Sequence, residues 1–167
     1  TNNVYSVDYH NDGLARSKGL DVAKGEWVMF MDDDDHWLHE SVLEDIYNQI
    51  QLQPDAFDVL CMSAYWKGRG YIPVNGNNGH LFPNVWSKCW RRSVIGDTRF
   101  PNVYSVSDFE FCKLMDEKEP RFALWDYPFY YYQFMRPGSL TEINSREGKN
   151  ERNTRYNTST FDAPKCN

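Results

Sequence analysis

Cysteine is scarce in this chain, with four residues among 167, at positions 61, 89, 112 and 166. No pair of them has metal-ligand spacing, and no dense disulfide framework can be drawn. Cys61, Cys89 and Cys112 lie inside apolar segments and read as reduced core residues, which points to a reducing, cytoplasmic setting. No apolar run is long enough to span a bilayer, and no stretch has the pattern of a signal peptide. Positive charge is in deficit: 18 Lys and Arg stand against 24 Asp and Glu, for a formal net charge of -6 and a pI near 5.2. Such a balance argues against a duplex nucleic-acid binder. No internal repeat is present. The length suits one domain with a proper core.

What is present in excess is aspartate in one place. Residues 32–35 are four consecutive aspartates, and they close an apolar run over residues 27–31 flanked by Gly25. The run is short and aromatic, which predicts a buried strand. Carboxylates at the C-terminal end of such a strand fall where open α/β sheets bind ligands. Adjacent acids repel one another, so a counter-cation is expected, with a solvated acidic turn as the alternative. Oxygen ligands suit Mg2+ or Mn2+, held by one or two carboxylates together with phosphate oxygens and water. On extended backbone Asp32 and Asp34 point one way and Asp33 and Asp35 the other. The Gly and later Glu of a calcium loop are absent. Aromatics make up 16% of the chain, either as a stacking surface or as an aromatic-rich core.

Along the chain, residues 4–7 predict a strand, and Asn11-Asp12-Gly13 a turn that caps a helix from Leu14. Ala15, Gly19 and Ala23, with Leu20, predict a small-residue face lying close on a sheet, and Gly25 a helix stop. Strand, helix and strand within about thirty residues have the size of a βαβ unit. Ser41 to Glu44 reads as a capping box before a helix with Val42, Ile46 and Ile50, joined by Leu43 and Tyr47, on its apolar face. Residues 57–66 predict a strand and residues 67–80 a loop or hairpin. Residues 85–95 fit either helix or strand. Ser107 to Glu110 reads as a second capping box, opening a helix with Phe111, Leu114 and Met115 on one face. Residues 122–125 and 129–134 predict two strands. From Glu142 the chain is polar, which suits a lid, an arm packed on a neighbour, or disorder.

Eight short segments in order carry a resemblance. Asn11-Asp12-Gly13 and Ala15-Arg16-Ser17-Lys18-Gly19-Leu20 come first, followed by Ala23-Lys24-Gly25-Glu26-Trp27 and Phe30-Met31-Asp32-Asp33-Asp34-Asp35. Downstream lie Trp86-Ser87-Lys88 to Arg91-Arg92, Arg99-Phe100, Ser107-Asp108 with Phe111, and Tyr130-Tyr131-Tyr132 to Arg136-Pro137-Gly138-Ser139. Over residues 4–140 the pattern resembles the family 2 glycosyltransferases of the GT-A fold. Ser17 stands where that family usually has Asn, Trp27 where it has Tyr, and Ser107 where it has Glu.

The resemblance implies an α/β, Rossmann-like mixed sheet flanked by helices. Residues 4–7 then correspond to the third strand of the usual order, so the usual first βαβ portion is expected to be missing. It implies a catalytic domain over residues 1–140 and an arm or lid over 141–167. It further implies an inverting, metal-dependent transfer of a sugar from a nucleotide-diphospho-sugar, expected to be a UDP-sugar, to a hydroxyl of a glycan or other acceptor. Asp32, Asp34 and Asp35 match the metal and donor signature, with Asp34 and Asp35 nearest the Mn2+ or Mg2+ and Asp32 nearer the nucleotide. Asp108 matches the general base; by its position alone it is also a favourable acid in the first turn of a helix. Arg16 and Arg136 are candidate diphosphate contacts, since a guanidinium meets phosphate bidentately, or else structural ion pairs. Trp86 is a candidate for stacking on the donor, with core packing as the alternative, and His36 reads as a surface residue. An exposed sheet edge would admit a second copy of the chain. A non-catalytic nucleotide- or glycan-binding remnant and a metal-dependent phosphohydrolase are the competing classes.

Overall fold

The computed structural model describes residues 11–74, 84–103 and 106–146. The strand expected at residues 4–7, Cys166 and the tail beyond residue 146 lie outside them. Helix α1, Asp12–Val22, begins where the sequence indicates. Asn11 is extended, and its side-chain oxygen accepts from the Leu14 amide at 2.9 Å, which satisfies one orphan donor of the first turn. The helix stops short of Gly25, because Ala23 already turns to extended backbone to lead into strand β1, Trp27–Met29.

The elements that follow are β2 (His36–Trp37), α2 (Val42–Leu52), β3 (Val59–Trp66), β4 (Gly70–Ile72), β5 (Lys88–Arg91), α3 (Arg92–Ile95), α4 (Ser107–Asp116), β6 (Phe122–Tyr132) and α5 (Leu140–Arg146). The sheet is mixed, in the order β1-β5-β3-β6-β2, with β4 beside β3. β3 and β6 run parallel, and every other pairing is antiparallel. β5 pairs with residues 59–61 of β3, and β4 with residues 64–66. The sheet therefore has two halves joined by β3 and β6. Residues 30–35, the aspartate segment, carry the chain from β1 in one half to β2 in the other.

β3 is buried over its first six residues because both of its faces are covered. Val59 and Cys61 enter one core with Phe30, Phe100, Phe111 and Met115. Leu60, Met62 and Ala64 enter the other with Val42, Ile46, Ile50, Phe129 and Tyr130. Each fully buried large apolar side chain contributes about 1.5–3 kcal/mol. Cys61, Cys89 and Cys112 are buried in the core, as expected.

Several local expectations give way to tertiary packing. The strand at β1 is half-buried, not buried, and among the described residues it has one neighbour, at the end of the strand order. Gly19 is exposed and would admit a Cβ with nothing within 4 Å; the tight contact is at Gly13, where a Cβ would lie 3.0 Å from the Pro101 carbonyl oxygen and 3.2 Å from Ser107 Cβ. α1 thus packs through its first turn on the start of α4. Neither capping box forms. Ser41 donates to Asp45 Oδ2 instead, and Ser107 is drawn to Asp12 because Val106, in the left-handed region, occupies the cap position of α4. Leu43, Tyr47 and Leu114 face solvent. Residues 85–95 resolve into both alternatives, strand β5 followed by the helical turn α3. The two strands expected over residues 122–134 are one, interrupted by a register shift near Pro128, where an irregular ladder tolerates the missing donor.

Candidate active site

The site is organised by Arg16, the guanidinium on the first turns of α1. Its Nη1 donates to Asp12 Oδ2 at 2.5 Å and to Asp108 Oδ1 at 2.6 Å, with Ser107 Oγ at 3.2 Å, and its Nη2 donates to Asp32 Oδ1 at 2.5 Å. The Phe100 ring lies 5.7 Å from the guanidinium carbon. Three carboxylates from α1, the aspartate turn and the start of α4 therefore meet on one cation whose side chain is 14% exposed. Burial alone would lower the Arg16 pKa, but Asp108, Asp32 and Asp12 together hold it raised and the charge in place.

Asp108 sits in the first turn of α4. Its Oδ1 accepts from Arg16 and its Oδ2 from the Val85 amide at 3.2 Å. Burial pushes its pKa up to about 6, with Arg16 pulling down and Asp32 pushing further up. It is therefore a carboxylate poised to exchange a proton near neutral pH.

The aspartate turn is held from the sheet. The Asp35 amide reaches the Asp32 carbonyl at 3.2 Å, and the Asp32 amide donates to the Tyr130 hydroxyl oxygen at 3.1 Å. That hydroxyl, on a fully buried ring, donates in turn to Asp35 Oδ2 at 2.6 Å, while the Gln133 amide donates to Asp35 Oδ1 at 2.7 Å. Burial pushes Asp35 up to about 6 against these two hydrogen bonds, and the charges of Asp32 and Asp34 add to the rise. Asp34, its side chain 16% exposed, pairs through Oδ2 with Arg136 Nε at 2.6 Å; Asp33 is the aspartate that turns outward, and its Oδ1 lies 4.0 Å from Arg136 Nη2. His36 is exposed and stacks on Tyr131, in keeping with the surface reading.

The expected site residues thus divide. Asp32 and Asp108 come together, but through Arg16. Arg16 is accordingly a bridge between carboxylates, with both of its terminal nitrogens engaged by acids. Asp32, Asp34 and Asp35 do not converge on one point: each has its own partner, and among the described residues no three carboxylate, imidazole or thiol groups are grouped so as to hold a metal ion. The donor chemistry still suits a hard cation, provided phosphate oxygens and water complete its shell. Trp86 is 5% exposed, stacked on Tyr130 and Tyr132 inside the second core, so core packing accounts for it and it offers little surface to a donor. Reasoning from sequence missed Asp12, Ser107, Tyr130 as a latch, and the amides of Val85 and Gln133. Only Asp12 left a local signal, its four-residue spacing from Arg16.

Residues 10–110 match the family model described as Glycosyl transferase family 2. Among solved structures, S. aureus TarS residues 1–349 in complex with UDP-GlcNAc is similar, with a TM-score of 0.64 and 22% identity over 80% of this chain and 41% of that one. The same TarS segment in complex with UDP gives 0.62 and 23%, over 74% of this chain and 40% of that one. The chain therefore spans about two fifths of these TarS chains. At such identities the likeness is one of fold. No curated protein sequence matches the chain. No helix among the described residues is long and apolar enough to cross a membrane.

Proposed function

The chain belongs to glycosyl transferase family 2, and from that premise we propose that it transfers a sugar from a nucleotide-diphospho-sugar to a hydroxyl acceptor, with inversion and with Asp108 as general base. The observation that carries this reading is the single guanidinium of Arg16, which joins Asp32, at the end of the signature strand, to Asp108, at the start of α4. A carboxylate with a pKa near 6, beside the turn that faces the donor, is what proton abstraction from an acceptor hydroxyl requires. Arg16 and the Val85 amide each occupy one acceptor position on an Asp108 oxygen. A carboxylate has about four, so room remains for the hydroxyl. As that hydroxyl oxygen attacks the anomeric carbon from the face opposite the diphosphate, its proton passes to Asp108 and the diphosphate departs.

Arg136 is the candidate diphosphate contact. It is 48% exposed and bound to Asp34 by one ion pair, which an incoming phosphate can replace. A divalent cation, Mn2+ or Mg2+, would be held by Asp34 with Asp32 and Asp35 flanking, and would neutralise charge on the leaving diphosphate. UDP and UDP-GlcNAc, the ligands of the TarS complexes, make a uridine nucleotide the first donor to test.

The test is binding and turnover of a panel of nucleotide-sugars, UDP-GlcNAc among them, with Mn2+, Mg2+ or EDTA. Metal-dependent donor binding that Asp34→Asn weakens is expected, together with turnover that Asp108→Asn reduces about 10²–10⁴-fold while donor binding persists. If no nucleotide-sugar binds with any metal, the proposal fails. Binding without any transfer would favour the non-catalytic remnant.

A further inference from the structure

We propose that the sheet face carrying Tyr71, Tyr65, Tyr131 and His36 is a saccharide platform that holds the acceptor. The strand registers pair Tyr65 with Tyr71 across β3 and β4, Tyr65 with Tyr131 across β3 and β6, and Tyr131 with His36 across β6 and β2. Residues opposite one another in paired strands share a face, so the four form one row across four strands. At roughly 4.8 Å between strands the row is about 14 Å long. Tyr131 and His36 stack at 4.7 Å between ring centres, and Tyr65 and Tyr71 meet edge to face at 6.3 Å.

The opposite face accounts for its aromatics by burial, and this face does not. The neighbouring row, with Ile72, Ala64 and Tyr130, turns the other way and is buried. Tyr65 and Tyr71 are 42% and 41% exposed, and His36 is exposed. Along β3, Tyr65 alternates onto the same side as Val59 and Cys61, which pack in the core beneath α4. The row therefore extends the face on which the Asp108 helix lies, and its far end, His36, directly follows Asp35. A ligand lying along it would reach the proposed donor turn at the His36 end.

The chemistry of the row selects the occupant. A pyranose offers an apolar C–H face to an aromatic ring and a rim of hydroxyls to polar groups beside it. Here the rings carry their own hydroxyls, the Tyr71 hydroxyl donates to the Asp126 carboxylate, and the His36 imidazole closes the row. Two pairs of rings with polar tips, set along one row, fit an extended saccharide better than a wholly apolar chain. The net charge of -6 disfavours a nucleic-acid strand.

This inference rests on the transferase reading, and the experiment separates the two. The full chain is titrated with di- and trisaccharides of glucose and of N-acetylglucosamine, read by saturation transfer from protein ring protons to sugar C–H protons, and separately with UDP-GlcNAc and Mn2+. Saccharide binding is expected to weaken about five- to tenfold in Tyr65→Ala and in Tyr131→Ala and to be kept in Tyr65→Phe, with UDP-GlcNAc binding unchanged in all three. Thermal melting checks that each variant is folded. Saccharide binding that ignores both alanine variants, no saccharide binding beside intact UDP-GlcNAc binding, or a self-associated chain in which the row is covered, each overturns the platform and leaves the donor site standing. Loss of UDP-GlcNAc binding in the parent chain overturns the transferase reading instead.

Discussion

Arg16 and Arg136 both pair with aspartates of the same turn, yet one guanidinium is sunk between two helices and the other stands half in solvent. Arg16 gathers Asp12, Asp32 and Asp108, each within 2.6 Å, and a buried cation with three anions cannot give up a partner without leaving charge stranded. Arg136 is half exposed and holds Asp34 by one contact, which an incoming anion can compete for. The contrast separates a fixed part of the site, which orients the proposed base Asp108, from a part held by one ion pair, the proposed diphosphate contact. The aspartates divide by partner: Asp32 is tied to Arg16 and Asp35 to Tyr130, Asp34 is held by the half-exposed Arg136, and Asp33 stands in solvent.

The contrast is most easily broken from the buried side. Arg16→Ala should destabilise the fold by about 3–5 kcal/mol, read as a shift in the denaturant midpoint, because three neighbouring carboxylates lose their common partner. A loss below about 1 kcal/mol would mean that the buried cluster behaves like a surface pair.

Tyr130→Phe comes next. Removing the hydroxyl takes a donor from Asp35 and an acceptor from the Asp32 amide, and should cost about 1–3 kcal/mol in stability. Donor affinity should fall with it, since the turn loses its latch; unchanged donor affinity would show that the latch serves the fold alone.

The pH profile sharpens the comparison without a substitution. With its pKa raised from 3.8 to about 6, folded Asp108 holds its proton more tightly than it does unfolded. Its contribution to stability is therefore fully present below about pH 4 and lost as pH rises through about 6. Catalysis runs the opposite way, because the base must be ionised: kcat/KM should fall about tenfold per pH unit below about 6 and level off above it. A flat profile between pH 5 and 7 would remove Asp108 from the role of base.

The smallest effect on stability belongs to Arg136→Ala, about 1 kcal/mol for an ion pair whose arginine is half in solvent. Its signature should lie in binding, as a weaker affinity for UDP-GlcNAc than the parent chain. A stability loss comparable to that of Arg16→Ala would erase the distinction between the two arginines.

Much of the fold is legible in local pattern. The Asn11 cap of α1, the buried run of β3, the apolar positions Val42, Ile46 and Ile50 of α2, and the abrupt end of an apolar run at Asp32 all follow from backbone period, capping and breaker chemistry, which act over a few residues. The capping boxes at Ser41 and Ser107 failed for an equally physical reason. Their hydroxyls found carboxylates at Asp45 and Asp12 that compete with the helix amides.

The site divides along the same line. Its aspartates and Asp108 are visible as residue types in a recognisable order, and so is the family pattern that they belong to. Their partners are not. Arg16 meets Asp32 and Asp108 across 16 and 92 positions of chain, and Tyr130 meets Asp35 across 95. The row Tyr71, Tyr65, Tyr131 and His36 exists only once four strands have chosen their register. Sequence alone determined which chemical groups are available and which local elements carry them, because capping and periodicity are short-range. Only the tertiary structure decided that one buried arginine would join the aspartate turn to Asp108 while its counterpart stayed half in solvent, because that depends on which distant segments the sheet brings together.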